Sequence, residues 1–251
     1  ALGQASRAAI DEARSQVASL LEAHDDEIIF TGSGTEANNH AIIGAALARQ
    51  SRGNHIITSS VEHPAVTEVC KYLETRGFQF TEVPVDSHGL VQVTDVAKAF
   101  KSETVLVSIM LANNEVGTIQ PISQIAELAH GHGALMHTDC AQAVGKISVG
   151  MKELGVDMLS LAGHKLYGPK GIGVLCLARG VDIPNLMHGA GHENGRRPGT
   201  ENILEIAGLG EACRLVSLDL AEEMERLTQL RERLQQNLLE AFPEAKVNGH
   251  P

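Results

Sequence analysis

The sequence predicts an α/β fold, a three-layer α/β/α arrangement around a mainly parallel but mixed sheet. Short apolar runs of strand character alternate with amphipathic helical runs along most of the chain. The last two strand candidates are joined by a link too short for a helical crossover, which makes them an antiparallel pair. From Glu201 onward the chain turns helical. At 251 residues and 43% apolar, it is long enough to bury one full α/β core and part of a second domain. The expected division falls after residue 205, with residues 1–205 as a large domain and 206–251 as a long helix that begins a small C-terminal α+β domain, truncated here.

An opening amphipathic helix spans about residues 5–21. Strands follow at about 27–31, 55–59, 78–83, 104–110, 134–138, 156–161 and 172–177, with helical runs such as 65–76 and 122–132 between them. Near the end, Leu220, Met224, Leu227, Leu230, Leu234 and Leu238 recur at three- and four-residue steps between charges. So short a stripe packs a second domain on the first in preference to a coiled-coil partner.

A net charge of −11 argues against nucleic acid or an anionic membrane as partner, because either rewards a basic face. Cys70, Cys140, Cys176 and Cys213 show no paired spacing, so neither zinc nor a disulfide framework is indicated, and a reducing, cytoplasmic location is expected. An organelle remains open if a transit segment once preceded Ala1. His130, His132 and His137 lack a carboxylate at helical spacing, so no metal site is expected. No signal peptide or membrane-length apolar run is visible.

The chemistry-bearing residues stand where apolar strands end. Lys165 follows the run 156–161 on a glycine-loosened turn, Ala162-Gly163-His164-Lys165, where its amine can be held at a strand end, partly desolvated, and attack a carbonyl. Read alone it is a solvated loop charge. Asp139 ends the apolar strand before Cys140, where a carboxylate can face a ring nitrogen or cap a helix through Ala141 and Val144. Thr31-Gly32-Ser33-Gly34-Thr35 joins a strand to a helix, and its glycines and Thr35 hydroxyl suit a phosphate. It matches neither a dinucleotide fingerprint nor a Walker motif, and Thr35 can equally be a plain cap. His63 precedes Pro64, which biases it to extended backbone and starts the next helix, so that its imidazole can lie over a flat ring or in solvent. Asn114 and Gln142 can each bond a ring hydroxyl oxygen. Phosphate donors, a flat group, an acid and a lysine, met in this order along the chain, are what pyridoxal phosphate requires.

These motifs carry a resemblance. Thr31-Gly32-Ser33-Gly34-Thr35-Glu36-Ala37-Asn38-Asn39, Val61-Glu62-His63, Asn113-Asn114-Glu115-Val116-Gly117, His137-Thr138-Asp139-Cys140-Ala141-Gln142, Gly163-His164-Lys165 and Arg197-Pro198-Gly199-Thr200-Glu201-Asn202 resemble the successive motifs of the cysteine desulfurase and selenocysteine lyase family, pyridoxal phosphate enzymes of fold type I related to class V aminotransferases. The resemblance implies Lys165 as the Schiff-base lysine, Asp139 as the pyridinium partner, His63 as the stacking residue, and Gln142 and Asn114 at the ring oxygen. It implies Gly34, Thr35 and His164 at the phosphate, with Thr200 reaching the phosphate of the other subunit of a homodimer. The implied reaction cleaves the C–S bond of L-cysteine or the C–Se bond of L-selenocysteine, giving L-alanine and a chalcogen that is released or passed to an acceptor protein. Ala162 departs from the serine of many desulfurases, which removes one phosphate donor and leans toward the animal-type selenocysteine lyase branch. The family's mobile cysteine loop and its substrate-binding arginine are expected beyond Pro251, and without them at most cofactor binding and sluggish chemistry are expected. An aminotransferase or β-lyase of the same fold, or a noncatalytic scaffold, is the alternative.

Overall fold

The structure, a computed structural model, describes residues 2–251. Its strands are β1 (Ile28–Thr31), β2 (His55–Ser59), β3 (Gln79–Val83), β4 (Thr104–Ser108), β5 (Leu135–Asp139), β6 (Met158–Ala162) and β7 (Gly173–Leu177). They form one seven-stranded sheet in the order β1-β7-β6-β5-β4-β2-β3. All pairings are parallel except those of β7, which runs against both β6 and β1. The expected strands and the expected antiparallel pair are therefore present. The run expected at 104–110 ends as a strand at Ser108, yet Ile109 and Leu111 still donate their N–H groups to the carbonyls of His137 and Asp139.

The helices are α1 (Leu2–Leu20), α2 (Gly34–Arg49), α3 (Pro64–Glu74), α4 (Val93–Ala99), α5 (Ile122–Gly131), α6 (Met151–Leu154) and α7 (Ile203–Ala241). Strands β2, β4, β5, β6 and β7 are buried at every position, as strands covered on both faces must be. Successive side chains point to opposite faces. Phe30, Ile57, Val107, Met136, Leu159 and Val174 join the core beneath α1, α5 and α7, whereas Ile29, Ile56, Leu135, Met158 and Leu175 join the core beneath α2 and α3. The edge strand β3 instead exposes Gln79 and Glu82, a polar rim that discourages pairing with another sheet.

Two imidazoles sit inside the sheet. His137 on β5 bonds Ser108 Oγ on β4 at 2.8 Å and Ser160 Oγ on β6 at 2.9 Å. His55 on β2 bonds Thr104 Oγ1 at 2.8 Å and Thr81 Oγ1 at 2.9 Å. Burial pushes the first down to about 3 and the second to about 4, so both are neutral cross-strand ties near neutrality.

Helix α7 crosses α1 at close range. A Cβ built on Gly210 would stand 2.5 Å from Ala13 Cα, so only glycine permits this approach, and Ile206, Leu209 and Cys213 are buried nearby. Farther along, Leu218, Leu227, Leu230, Leu234 and Leu238 are exposed. The loop before α7 is held by a buried clasp in which Arg14 donates to both Glu193 carboxylate oxygens at 2.9 Å and to Ile28 O at 2.7 Å. Phe30 N donates to the same carboxylate, fixing Glu193 in left-handed backbone at φ 48°.

Candidate active site

Because β1, β2, β4, β5 and β6 are parallel, their carboxyl ends lie along one edge, the place where open α/β sheets bind ligands. A cavity of about 320 Å³ opens there, lined by Gly34, Thr35, His63, Asn114, Asp139, Gln142, His164 and Lys165. Eight of the nine sequence-predicted site residues thus meet around one space. Thr200 is not among them: it lines a separate cavity of about 220 Å³ with Gly32, Arg197 and Gly199.

Asp139 ends β5 and is 6% exposed. Its Oδ1 accepts the Ala141 N–H at 2.8 Å, and its Oδ2 accepts Asn38 Nδ2–H from α2 at 2.7 Å. The local bond is the capping contact foreseen as an alternative, but no α-helix follows: Ala143 and Val144 both donate to Cys140 O in successive turns. Burial pushes the Asp139 carboxyl above its usual value, against the pull of these donors and of His63. Among the described residues no lysine or arginine pairs with it.

The end of the cavity where a phosphate is expected is built by a tight turn. Ser33, in extended backbone, caps α2 by accepting the Glu36 N–H at 3.0 Å, so the cap is Ser33 and not Thr35. A Cβ on Gly34 would meet Ala162 Cβ at 2.9 Å, and one on Gly173 would meet the Ser33 carbonyl carbon at 2.4 Å. The two glycines let the start of α2 press against the ends of β6 and β7. This aims the first N–H groups of a 16-residue helix at the cavity, where they have no partner within the helix.

His63 caps α3 with Nδ1, which accepts the Ala65 N–H at 3.1 Å, and Pro64 occupies the first helical position as expected. With Nδ1 engaged as acceptor, the neutral ring carries its proton on Nε2. Lys165 corrects one expectation. It lies on a 3-10 turn, Gly163–Leu166, that buries Gly163 and Leu166 and leaves His164 and Lys165 exposed at the cavity rim. The turn faces outward because the chain doubles back there, Gly168 N bonding Gly163 O and Gly163 N bonding Ile172 O. Burial, then Lys165 and Lys170, hold the His164 imidazole below its usual value. Lys146 reaches across to Lys165 O at 3.3 Å and Gln142 Oε1 at 3.4 Å, so cations gather here in a chain of net charge −11.

This donor set fits pyridoxal phosphate. A buried acid without a cationic partner awaits a ring nitrogen, helix N–H groups with basic neighbours suit a phosphate, and an amine stands at the rim. Sequence reasoning missed Asn38, whose signal is its place one helical turn after Gly34, on the same face of α2. It also missed Glu62, a buried acid beside His63.

The sequence profile of the family described as aminotransferase class-V matches residues 1–251. The chain is 47% identical over 247 residues to "Cysteine desulfurase IscS" of Dictyoglomus turgidum, covering 98% of this chain and 63% of the relative. It is 46% identical over 250 residues to "Cysteine desulfurase IscS" of Methanosarcina thermophila, covering 100% and 62%. The chain thus spans somewhat less than two thirds of the curated relatives it matches. Among solved structures, a "NifS-like protein" superposes with a TM-score of 0.92 at 38% identity, over 96% of this chain and 66% of the other. A structure described as "SspA in complex with cysteine" superposes at 0.81 and 42% identity, over 84% and 61%.

Proposed function

We propose, for a chain that belongs to the aminotransferase class-V family, that it is the cofactor-binding part of a pyridoxal phosphate enzyme removing sulfur from L-cysteine and leaving L-alanine. The observation that carries this is the meeting of Lys165, His63 and Asp139 around one strand-end cavity. The relatives are named cysteine desulfurases, and one structural neighbour is described with cysteine bound, which favours cysteine over selenocysteine as the first substrate to test.

When bound, pyridoxal phosphate supplies an aldehyde for an amine and a ring that withdraws electrons from the substrate Cα. Lys165 would hold the cofactor through its Nζ and, with that amine free, would take the proton from the substrate Cα. Asp139, oriented by Asn38, would face the ring nitrogen and pair with its proton. His63, its Nδ1 already engaged by Ala65 N–H, would stack on the ring and keep an Nε2 proton available to the cavity, while Asn114 and Gln142 would bond the ring oxygen. Gly34, Thr35 and His164 would hold the phosphate, to which the apolar Ala162 offers no hydroxyl.

Thr200, which lines a separate cavity within one chain, serves the phosphate of a second subunit in a homodimer. Residues 1–205 form the large domain, and the exposed leucines of α7 lead into a smaller one. The sulfur passes to an acceptor protein. No described helix is long and apolar enough to cross a membrane, and we place the enzyme in the cytoplasm, where the free thiols Cys70, Cys140, Cys176 and Cys213 stay reduced.

Product analysis tests this. The longer protein carrying this chain, supplied with pyridoxal phosphate, L-cysteine and a thiol reductant, should release alanine and sulfide in equal amounts. Pyruvate, or exchange with a keto acid, as the main product would assign it to a β-lyase or an aminotransferase instead.

A further inference from the structure

We propose that Glu62 is a positioning residue that holds the two loops bearing His63 and Asn114 in register across the cavity. The proposal rests on the assignment of that cavity to pyridoxal phosphate.

Glu62 immediately precedes His63 and is 9% exposed. Its Oε1 accepts the Ser59 hydroxyl at 2.5 Å and the Met110 N–H at 2.9 Å. Ser59 ends β2, and Met110 lies just past the end of β4, so a single carboxyl oxygen ties the two strand ends together. A second tie runs the opposite way: Asn113 Nδ2 donates to Val61 O at 3.1 Å. Asn113 Oδ1 also accepts the N–H groups of Glu115 and Val116, both at 2.9 Å, which shapes the turn that presents Asn114. His63 and Asn114 are therefore placed by one zipper, of which Glu62 is the inner tooth. Both residues border the cofactor cavity and a neighbouring one of about 350 Å³, and Glu62 stands in the wall of the latter.

Glu62 does this work with its proton on. Oε2 is buried with no hydrogen-bond partner, and no lysine or arginine pairs with the group among the described residues. Burial pushes the carboxyl up to about 8, and the charge of Asp139 on β5 adds to that, against the Ser59 and Met110 bonds. The other titratable neighbours are His63 on its own turn and Cys70 on α3, whose thiol is itself pushed up to about 12, chiefly by burial with Glu62 a lesser cause. An unpaired carboxylate here is costly; protonation removes the charge and leaves only a buried hydroxyl on Oε2, while Oε1 keeps both donors satisfied. An amide supplies the same oxygen.

Glu62→Gln, Glu62→Ala and Ser59→Ala in the 251-residue chain test this by fluorescence titration with pyridoxal phosphate and circular dichroism of the bound cofactor. Glu62→Gln should bind within about threefold of the parent with the same dichroic band, while Glu62→Ala, leaving two donors buried and unpaired, should bind about tenfold more weakly with a reduced band. Should Glu62→Ala not fold, Ser59→Ala supplies a milder loss in the same direction. A Glu62→Gln variant as impaired as Glu62→Ala, or an alanine variant that matches the parent, overturns the proposal.

A second arm needs no cofactor. The folded carboxyl titrates near 8 and the unfolded one near 4.5, so the folded state binds more protons in that window and the parent loses stability as pH rises through it. Urea unfolding across that range should show this slope in the parent and a flatter one in Glu62→Gln; equal slopes contradict the proton. A parent chain that binds no pyridoxal phosphate sinks the cofactor assignment, while this arm still decides the state of Glu62.

Discussion

Asn38 Nδ2 donates to Asp139 Oδ2 at 2.7 Å, joining residues 101 positions apart and linking α2, which opens at the phosphate turn, to the end of β5. The bond couples the two ends of the cavity: the acid proposed for the ring nitrogen is aimed by the helix proposed for the phosphate. Removing the amide in Asn38→Ala leaves a buried carboxylate oxygen without its donor. A hydrogen bond to a charged group contributes about 1.5–3 kcal/mol, so pyridoxal phosphate should bind about ten- to a hundredfold more weakly, as read by fluorescence titration. Unchanged affinity would show that Asp139 is oriented by Ala141 alone.

The contact between Gly34 and Ala162 predicts a steric coupling. A methyl group on Gly34 meets Ala162 Cβ at 2.9 Å, so Gly34→Ala should lower stability by about 1–3 kcal/mol in urea unfolding. Ala162→Gly should recover most of that loss in the double variant. Simple additivity of the two changes would mean that the pressure falls on the Leu161 carbonyl, 3.4 Å away, and not on the methyl pair.

The Arg14–Glu193 clasp is buried on both sides, with side-chain exposures of 9% and 3%. Glu193→Ala strands the guanidinium and also frees Phe30 N, so it should destabilise the chain by about 3–5 kcal/mol, measured by denaturant unfolding. An exposed pair such as Arg7–Asp11 provides the control: Asp11→Ala should cost less than about 1 kcal/mol.

The inward imidazoles set an acid limit. His137 and His55 titrate near 3 and 4 when folded but near 6.5 when unfolded, so the unfolded state binds more protons between those values. Their contribution is present above about 6.5 and is lost as pH falls through the window. His137→Gln, which can bridge Ser108 and Ser160 without titrating, should show a shallower loss of melting temperature between pH 6.5 and 4 than the parent. An identical slope would indicate that His137 is protonated in the folded protein.

The strands were legible because fully buried parallel strands are continuous apolar runs, and the polar residue that interrupts each run marks its carboxyl end. That is why Asp139, His63 and Lys165 stood out. Ser33 and Thr35 are both good caps on a glycine-loosened turn, and only the extended backbone of Ser33, at φ −174°, separates them. The exposure of Lys165 follows from the doubling back at Gly168 and Ile172, a tertiary event that local propensity does not encode. Glu62 carries no local sign of burial, because one of its two donors, Met110 N–H, lies 48 positions away. The Arg14–Glu193 pair spans 179 positions and leaves no periodic trace.

Borohydride reduction of the chain loaded with pyridoxal phosphate, followed by peptide mapping, addresses the covalent role of Lys165 most directly. The account predicts a pyridoxyl mass on Lys165, lost in Lys165→Ala. Absence of an adduct, or one confined to Lys146 or Lys170, would contradict it.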